Sequence, residues 1–279
     1  MTVPPTLLLP AAAFVLGTIV GSFLNVCIHR LPRGLSLIRP PSHCPSCGAP
    51  VRPWDNVPLL SYLLLGGRCR YCRASISPRY ALVELLTGLL FLLVANKFGI
   101  SPRAALYAVL FAALVVVTFI DLEHGIIPNA VTLPGIAAGL MFNALMTDWG
   151  VVLTLLARLP HAPLNALAAM VRVTAFDSLL GALLGGGVLL LVAVLYFRLR
   201  KREGMGMGDV KLLAMIGAFL GTESILYVLL VSSLAGTVAG AALIVARRKG
   251  DGAVAIPYGP FLSLGAVLYV LAGGFSIIR

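Results

Sequence analysis

Two aspartates in an otherwise apolar chain are of the residue type that acid–base chemistry requires. Asp121 ends the apolar stretch VVVTFID, and Asp209 follows the glycines of GMGMGD and precedes another apolar stretch. Two carboxylates that share a site of low dielectric cannot both ionise easily, so they hold one proton between them. The ionised partner can take a proton from a water that attacks a peptide carbonyl, while the protonated partner donates to the carbonyl oxygen. This pattern is typical of aspartic-protease chemistry.

The residues around Asp209 leave simpler interpretations open. Asp209 at a helix N-terminus would cap the helix and complement its dipole, whereas Asp121 at a helix C-terminus gains nothing from the dipole. Acids at membrane depth also serve ion translocation. The absent side chains of Gly206 and Gly208 would let a substrate backbone approach closely and let the chain bend before the helix. Lys211 would either tune the charge of Asp209 or extend its ammonium group towards the membrane surface.

Four cysteines form a second group whose spacing indicates chemistry. Cys44, Cys47, Cys69 and Cys72 make two CxxC pairs in the turn-forming stretches CPSCG and CRYCR. In a reducing compartment, two such pairs favour a four-thiolate zinc site over free thiols or a redox pair. Four cysteines close a tetrahedral coordination sphere, so this zinc would be structural. The fifth cysteine, Cys27, lies among apolar residues and is interpreted as ordinary packing.

The elements that must position these groups lie in a membrane. The chain is 59% hydrophobic and 11% charged, and its mean hydropathy is +1.00, which is typical of a polytopic membrane protein. The segment 210–222 is short for a span, so neighbouring helices must shield it from lipid. The apolar runs predict an all-α protein with about eight transmembrane helices, near 6–28, 80–96, 104–120, 126–147, 176–197, 210–222, 224–246 and 255–277.

The basic residues predict the orientation of the chain. Arginines in 30–79 and basic residues in 198–202 and 247–249 form three clusters that belong in the cytoplasm. With about eight crossings and both termini outside, all three clusters fall on one side, and Asp121 and Asp209 fall at the same cytoplasmic depth. The net charge of +11 mostly reflects this bias, so it indicates anionic lipid headgroups as partners without any need for nucleic acid. The first apolar run has no basic residue before it, unlike a cleavable signal peptide, and is predicted to remain as a helix.

The chain is predicted to have three parts. Residues 1–29 form the first transmembrane helix, residues 30–79 a zinc-ribbon-like cytoplasmic loop domain, and residues 80–279 a transmembrane domain with both aspartates. The loop is rich in Pro, Gly and Arg and is too small for an oily core of its own. The segment 148–176, which prolines interrupt, is predicted to lie along the outer membrane interface.

Two smaller groups of residues have ordinary interpretations. Gly17, Gly21 and Asn25 recur on one face of the first helix, which predicts close helix packing with Asn25 as an interhelical hydrogen-bonding group. His29 and His124 lack metal-ligand spacing and are predicted to be surface histidines.

Several blocks of the sequence resemble, in the same order, the signature blocks of bacterial type IV prepilin leader peptidases, which are membrane aspartic proteases of the GxGD type. The resemblance runs almost end to end. It implies an enzyme that cuts the leader from type IV prepilins and type II secretion pseudopilins and then methylates the new N-terminus. The blocks are GSFLNVCIHRLP (21–32), HCPSCG (43–48), WDNVPLLSYL (54–63), GRCRYC (67–72), SPRYALVELLTG (77–88), IDLEHGIIPN (120–129), GMGDVKLLA (206–214) and IPYGPFL (256–262).

The resemblance also implies roles for particular residues. Asp121 and Asp209 match the catalytic pair of the family. Many relatives have a second Asp where this chain has Glu123, which suggests that Glu123 is auxiliary.

The methyltransferase half rests on the resemblance alone, which associates the four-cysteine loop with this activity and implies S-adenosylmethionine as methyl donor. The sequence has no Gly-rich strand-turn-helix fingerprint for such a cofactor. Candidate residues near the loop are Trp54, Asp55, Asn56 and Glu84. For Asp55 and Glu84, pairing with one of the loop arginines is at least as good an interpretation.

Two rival classes of function use parts of the same pattern. An ion- or proton-coupled transporter would be expected to carry acids or broken helices at mid-membrane in two symmetric halves, and the sequence has neither. The second rival is a membrane-anchored zinc module that only assembles a secretion machine. The sequence indicates neither a particular pilin nor an oligomeric state.

Overall fold

The computed structural model of the protein describes residues 5–147, 174–201, 206–246 and 256–273. Within those ranges the regular secondary structure is helical, as the apolar runs predict. The chain forms two compact units, which we call the N-terminal unit (Met1–His124) and the C-terminal unit (Gly125–Arg279).

The N-terminal unit is built on close packing between its first and third helices. Its helices are α1 (Pro5–Arg30), α2 (Leu60–Leu64), α3 (Arg79–Phe98) and α4 (Pro102–His124), with 3-10 turns at Leu31–Arg33 and Pro53–Asp55. A Cβ on Gly17 or Gly21 would lie 2.7 Å from a backbone atom of α3, so these positions must be glycine for α1 and α3 to touch. Asn25 donates its side-chain amide to the backbone oxygen of Tyr80 at 3.0 Å. The predicted packing face of the first helix is confirmed.

The C-terminal unit surrounds one short helix. Its helices are α5 (Asn129–Leu145), α6 (Thr174–Arg200), α7 (Met207–Leu220), α8 (Thr222–Ala246) and α9 (Gly259–Ala272). A Cβ on Gly181 or Gly185 of α6 would lie 2.5 Å from a backbone oxygen of α7, and α5 packs against α7 as well. The predicted shielding of the short helix is confirmed by side chains that are fully buried, those of Leu212, Leu213, Met215, Ile216 and Ala218.

The C-terminal end of α7 is held by polar side chains. Asn143 and Ser178 both donate hydrogen bonds to the backbone oxygen of Ala218, at 3.0 and 2.5 Å. Gly221 then takes a left-handed conformation (φ 79°), and Asp177 accepts a hydrogen bond from the backbone N–H of Thr222 at 2.9 Å. These contacts satisfy backbone groups that two consecutive helix ends would otherwise leave without partners.

Each segment that the sequence predicts to cross the membrane overlaps one of these helices. In the described part of the chain, five are long and apolar enough to cross: Leu8–Arg33, Arg79–Phe98, Pro102–His124, Ala175–Arg200 and Thr222–Leu243. Asn129–Leu145 and Gly259–Ala272 are apolar but shorter. Helix α7 begins at Met207, before the predicted 210, because Gly206 supplies the extended residue that precedes a helix (φ −72°, ψ 139°). The predicted interfacial segment 148–176 lies outside the described residues up to residue 173.

Candidate functional site

The two CxxC pairs fold as two similar tight turns. In the first, the backbone N–H of Cys44 donates to Ala49 and that of Gly48 donates back to Cys44, both at 2.9 Å. In the second, Cys69 donates to Ala74 at 2.8 Å, and Arg73 donates to Cys69 at 3.1 Å. The matching residues Gly48 and Arg73 both take positive φ, 70° and 59°. Each turn therefore presents its two thiols on one side of a short hairpin.

The four thiols meet at one point, as the spacing predicts. The Sγ atoms of Cys44, Cys47, Cys69 and Cys72 all lie within 4.8 Å of one another, and those of Cys44 and Cys72 are 3.8 Å apart. A zinc–sulfur bond of about 2.3 Å gives tetrahedral sulfur–sulfur separations of roughly 3.8 Å. The backbone N–H groups of Cys47 and Ser46 lower the pKa of the Cys44 thiol to about 6, which favours a thiolate at this position, whereas desolvation and the neighbouring thiols raise the pKa of Cys47 to about 11. The donor set and its geometry fit a four-coordinate soft metal ion.

The residues beside the cysteine cluster are engaged with one another. Nε of Arg70 donates to both carboxylate oxygens of Asp55, at 3.0 and 2.9 Å. This contact holds the pKa of Asp55 below its usual range. The guanidinium of Arg52 lies 5.6 Å from the ring centre of Trp54 and 5.5 Å from that of Tyr71. For Asp55, arginine pairing is therefore the interpretation that the structure supports.

Glu84 has a different partner from the one suggested by the loop arginines. It lies on α3 with 9% of its surface exposed, and one carboxylate oxygen accepts a hydrogen bond from the backbone N–H of Leu59 at 2.8 Å. Leu59 takes a positive φ of 60°, an unfavourable conformation for a leucine. Glu84 thus ties the loop to α3 at the point where α2 begins.

Asp121 lies in the last turn of α4 in the N-terminal unit. It is 5% exposed, whereas Leu122, Glu123 and His124 after it are exposed. Glu123 forms an ion pair with Arg79, the first residue of α3. His29 and His124 are exposed, as predicted for surface histidines.

Asp209 lies in the first turn of α7 in the C-terminal unit. Its backbone N–H donates to the oxygen of Gly206 at 3.2 Å. A Cβ on Gly208 would lie 2.8 Å from Cβ of Ile127, so the missing side chain makes room for the segment before α5. Lys211 donates to the side-chain oxygen of Asn129 at 2.8 Å, a partner that neither interpretation of this lysine includes.

Sequence reasoning missed three of these residues. Arg79, Ile127 and Asn129 hold the turns that carry the two aspartates, yet none is an acid, a thiol or a glycine. All three lie in the blocks SPRYALVELLTG and IDLEHGIIPN. Their membership of these blocks was the signal that could have found them.

Comparison with known proteins identifies the family. Residues 15–98 match the family model of the bacterial peptidase A24 N-terminal domain, and residues 108–241 match that of the type IV leader peptidase family. A Pseudomonas aeruginosa protein named prepilin leader peptidase/N-methyltransferase is 36% identical over 92% of this chain and 88% of its own length. The chain belongs to the type IV leader peptidase family.

Other members of the type IV leader peptidase family are similarly related. Proteins with the same name from Neisseria gonorrhoeae and Aeromonas salmonicida are 39% and 38% identical. The first match covers 86% of this chain and 84% of the relative, and the second covers 95% and 91%. No solved structure matches the chain.

Proposed function

We propose that this member of the type IV leader peptidase family is an endopeptidase of the bacterial inner membrane that removes the leader of type IV prepilins and type II secretion pseudopilins and then methylates the new N-terminus. One observation carries the proposal: nearly the whole chain matches relatives named prepilin leader peptidase/N-methyltransferase. The membrane-capable helices support a multi-pass protein. We take the number of crossings as about eight, with both termini outside and the catalytic face in the cytoplasm.

The proposed catalytic pair is Asp121 and Asp209. The family motifs contain both residues, and the positive-inside pattern assigns both to the cytoplasmic depth of the membrane. The ionised carboxylate takes a proton from a water, and the water oxygen bonds to the carbonyl carbon of the scissile peptide. The protonated carboxylate gives its proton to the carbonyl oxygen. When the tetrahedral intermediate collapses, the carbon–nitrogen bond breaks and the leaving amine takes a proton from the pair.

The helix ends support a division of roles within this pair. The N-terminal dipole of α7 favours the charged form of Asp209, whereas the C-terminal dipole of α4 disfavours a charge on Asp121. Burial of Asp121 acts in the same direction as its helix end. Asp209 is therefore proposed as the ionised partner that activates water, and Asp121 as the one that holds the shared proton.

Three auxiliary residues shape the turn that carries Asp209. Gly206 provides the extended conformation before α7, and Gly208 accommodates Ile127. Lys211 holds the turn to Asn129. The leader is proposed to be cut just before the hydrophobic helix of the pilin, which lies in the bilayer beside α7 so that membrane insertion positions the scissile bond.

The four-cysteine loop, within residues 30–79, is proposed to hold one structural zinc. Cys44, Cys47, Cys69 and Cys72 would supply four thiolates, the set that zinc prefers in closed structural sites. Zinc would replace the oily core that so short a segment lacks. Residues 80–279 are the proposed peptidase domain.

Methylation requires a donor, which the relatives' name implies to be S-adenosylmethionine. The two carboxylates that the sequence suggests for this part of the chain are already engaged, Asp55 by Arg70 and Glu84 by the backbone of Leu59. Both carboxylates hold parts of the loop in place. We assign no residue to donor binding.

Mass spectrometry of one prepilin tests both proposed reactions. A candidate prepilin is incubated with the purified full-length protein in detergent, with and without S-adenosylmethionine. The expected result is loss of the leader mass in both samples and addition of one methyl group only when the donor is present. An intact prepilin mass in both samples, with a protein that keeps its thermal unfolding transition, would overturn the proposal. As a test of substrate positioning, a soluble peptide without the apolar segment should be cut far more slowly.

A further inference from the structure

Glu123 is held by an ion pair in the last turn of α4, two residues after Asp121. Nη1 of Arg79 donates to both carboxylate oxygens of Glu123. The guanidinium also lies 5.0 Å from the ring centre of Tyr80, and the Arg79 and Glu123 side chains are 19% and 33% exposed. An ion pair that is partly withdrawn from water is stronger than a fully exposed one.

The ion pair closes one end of a helical hairpin. Helix α3 ends at Phe98 and α4 begins at Pro102, so a short turn joins them at one end. At the other end, the first residue of α3 meets the next-to-last residue of α4. The last carbonyls of any helix lack intrahelical partners, and helix ends fray for that reason. Asp121 belongs to this last turn, so the contact between Arg79 and Glu123 limits how far Asp121 can move.

The polarity of the pair argues against a purely stabilising role. Arg79 is a cation at a helix N-terminus, and Glu123 is an anion near a helix C-terminus. The helix dipole disfavours both charges, so a pair that served stability alone would have the opposite polarity. The pairing offsets this cost but leaves little net gain in stability. The arrangement is better explained by what it does for the neighbouring Asp121.

We propose that Arg79 and Glu123 are positioning residues whose ion pair fixes the last turn of α4 and thereby the direction of the Asp121 carboxylate. The proposal rests on the proposed catalytic role of Asp121. Both oxygens of Glu123 accept hydrogen bonds from Arg79, which holds the carboxylate against the start of α3. The acid that the family pattern suggests as auxiliary therefore acts through Asp121.

A double-mutant cycle on the full-length protein tests this role. The variants are Arg79→Gln, Glu123→Gln and the two together, with kcat and KM measured on a prepilin. Each single change should lower kcat about tenfold and leave KM within about twofold, because misplacing one catalytic group mainly affects the transition state. The double variant should be no slower than the slower single variant, since both changes remove the same contact. Glu123→Asp, which keeps a carboxylate, should retain more activity than Glu123→Gln.

Arg70→Gln is the matched control. It removes a second arginine–carboxylate pair, which lies in the loop of the N-terminal unit, and should leave peptidase kcat unchanged. Each single variant leaves one charge unpaired at a helix end whose dipole opposes it, so its thermal unfolding midpoint should fall slightly. The double variant removes both charges and should unfold near the wild-type value.

Three results would overturn the proposal: unchanged kcat in the single variants, losses that multiply in the double variant, or recovery of kcat in the double variant together with its unfolding midpoint. If Asp121 is not catalytic, the Asp121→Asn variant will still cleave the prepilin. This result is distinct from the three above.

Discussion

The two proposed catalytic aspartates occupy opposite kinds of helix end. Asp121 ends α4, where the dipole opposes its charge, and is buried; Asp209 begins α7, where the dipole favours its charge, and is half-buried. The turn of Asp121 is restrained by an ion pair between charged side chains. The turn of Asp209 is restrained by a close contact at Gly208 and by the uncharged amide of Asn129. Two carboxylates of one residue type are thus given different surroundings, which is how one pair can supply both an acid and a base.

Replacing either aspartate by asparagine should give the largest fall in kcat. It tests whether cleavage needs both carboxylates. Asp121→Asn and Asp209→Asn should each lower kcat by at least about 100-fold, because general acid–base catalysis typically contributes that much or more. Cleavage is followed by mass spectrometry, with the unfolding midpoint as the control for folding. Near-normal cleavage by either variant would mean that the two aspartates do not form a catalytic pair.

Crowding the turn of Asp209 should give the next largest effect. A Cβ at Gly208 would lie 2.8 Å from Cβ of Ile127, so Gly208→Ala must displace one of these segments. A misplacement of about 1 Å can cost up to about 100-fold in rate, and we expect a fall in kcat between about tenfold and that value. A second change, Ile127→Ala, should recover part of the loss by making room for the new methyl group.

Gly187→Ala is the control for this crowding experiment, because no atom lies within 4 Å of a Cβ at that position of α6. It should leave kcat unchanged. If Gly208→Ala is as active as Gly187→Ala, the contact with Ile127 does not position Asp209.

Loss of the metal should affect the loop more than the helices. We expect roughly one zinc per chain by metal analysis, lost when Cys44, Cys47, Cys69 or Cys72 is changed to Ser. Without the metal, trypsin should cut the loop at its exposed arginines, which compact loop structure protects in the wild type. Replacement of Cys27, which is buried in α1, by Ser is the control and should leave the zinc content unchanged. A metal-free preparation with the wild-type pattern of trypsin resistance would refute the structural role.

Breaking the hydrogen bond between Lys211 and Asn129, which restrains the turn of Asp209, should give the smallest effect. Lys211→Met and Asn129→Ala each break one exposed hydrogen bond, worth about 1 kcal/mol or less, so we expect kcat to fall about threefold or less. Comparison with Glu123→Gln then ranks the two restraints. A larger loss in Lys211→Met than in Glu123→Gln would reverse the comparison and make the turn of Asp209 the more sensitive one.

Local patterns in the sequence determine much of the fold. The helices, the packing face of Gly17, Gly21 and Asn25, and the fold of each CxxC turn all follow from residues close together in sequence. The burial of α7 also follows, because a helix too short to span a membrane must be covered by its neighbours. Even the early start of this helix has a local cause, the extended Gly206.

The partners of the polar side chains could not be predicted in this way. The loop arginines suggested a partner for both Asp55 and Glu84, yet Asp55 binds Arg70 and Glu84 accepts from the backbone of Leu59. The partner of Glu123 lies 44 positions away and that of Lys211 lies 82 positions away. Such contacts depend on which helix ends lie next to each other in the folded protein. The periodicity of apolar residues within one helix does not show which ends these are.

The sequence by itself determined the residue types that could do chemistry, the membrane environment and the turns that present the thiols. These properties depend on composition and on short-range sterics. Tertiary structure alone decided that Glu123 is held by Arg79, that Gly208 makes room for Ile127, and that the turn of Asp209 is joined to Asn129. The physical reason is that side-chain partners are set by the packing of helices distant in sequence, where one residue has many possible neighbours and packing selects one.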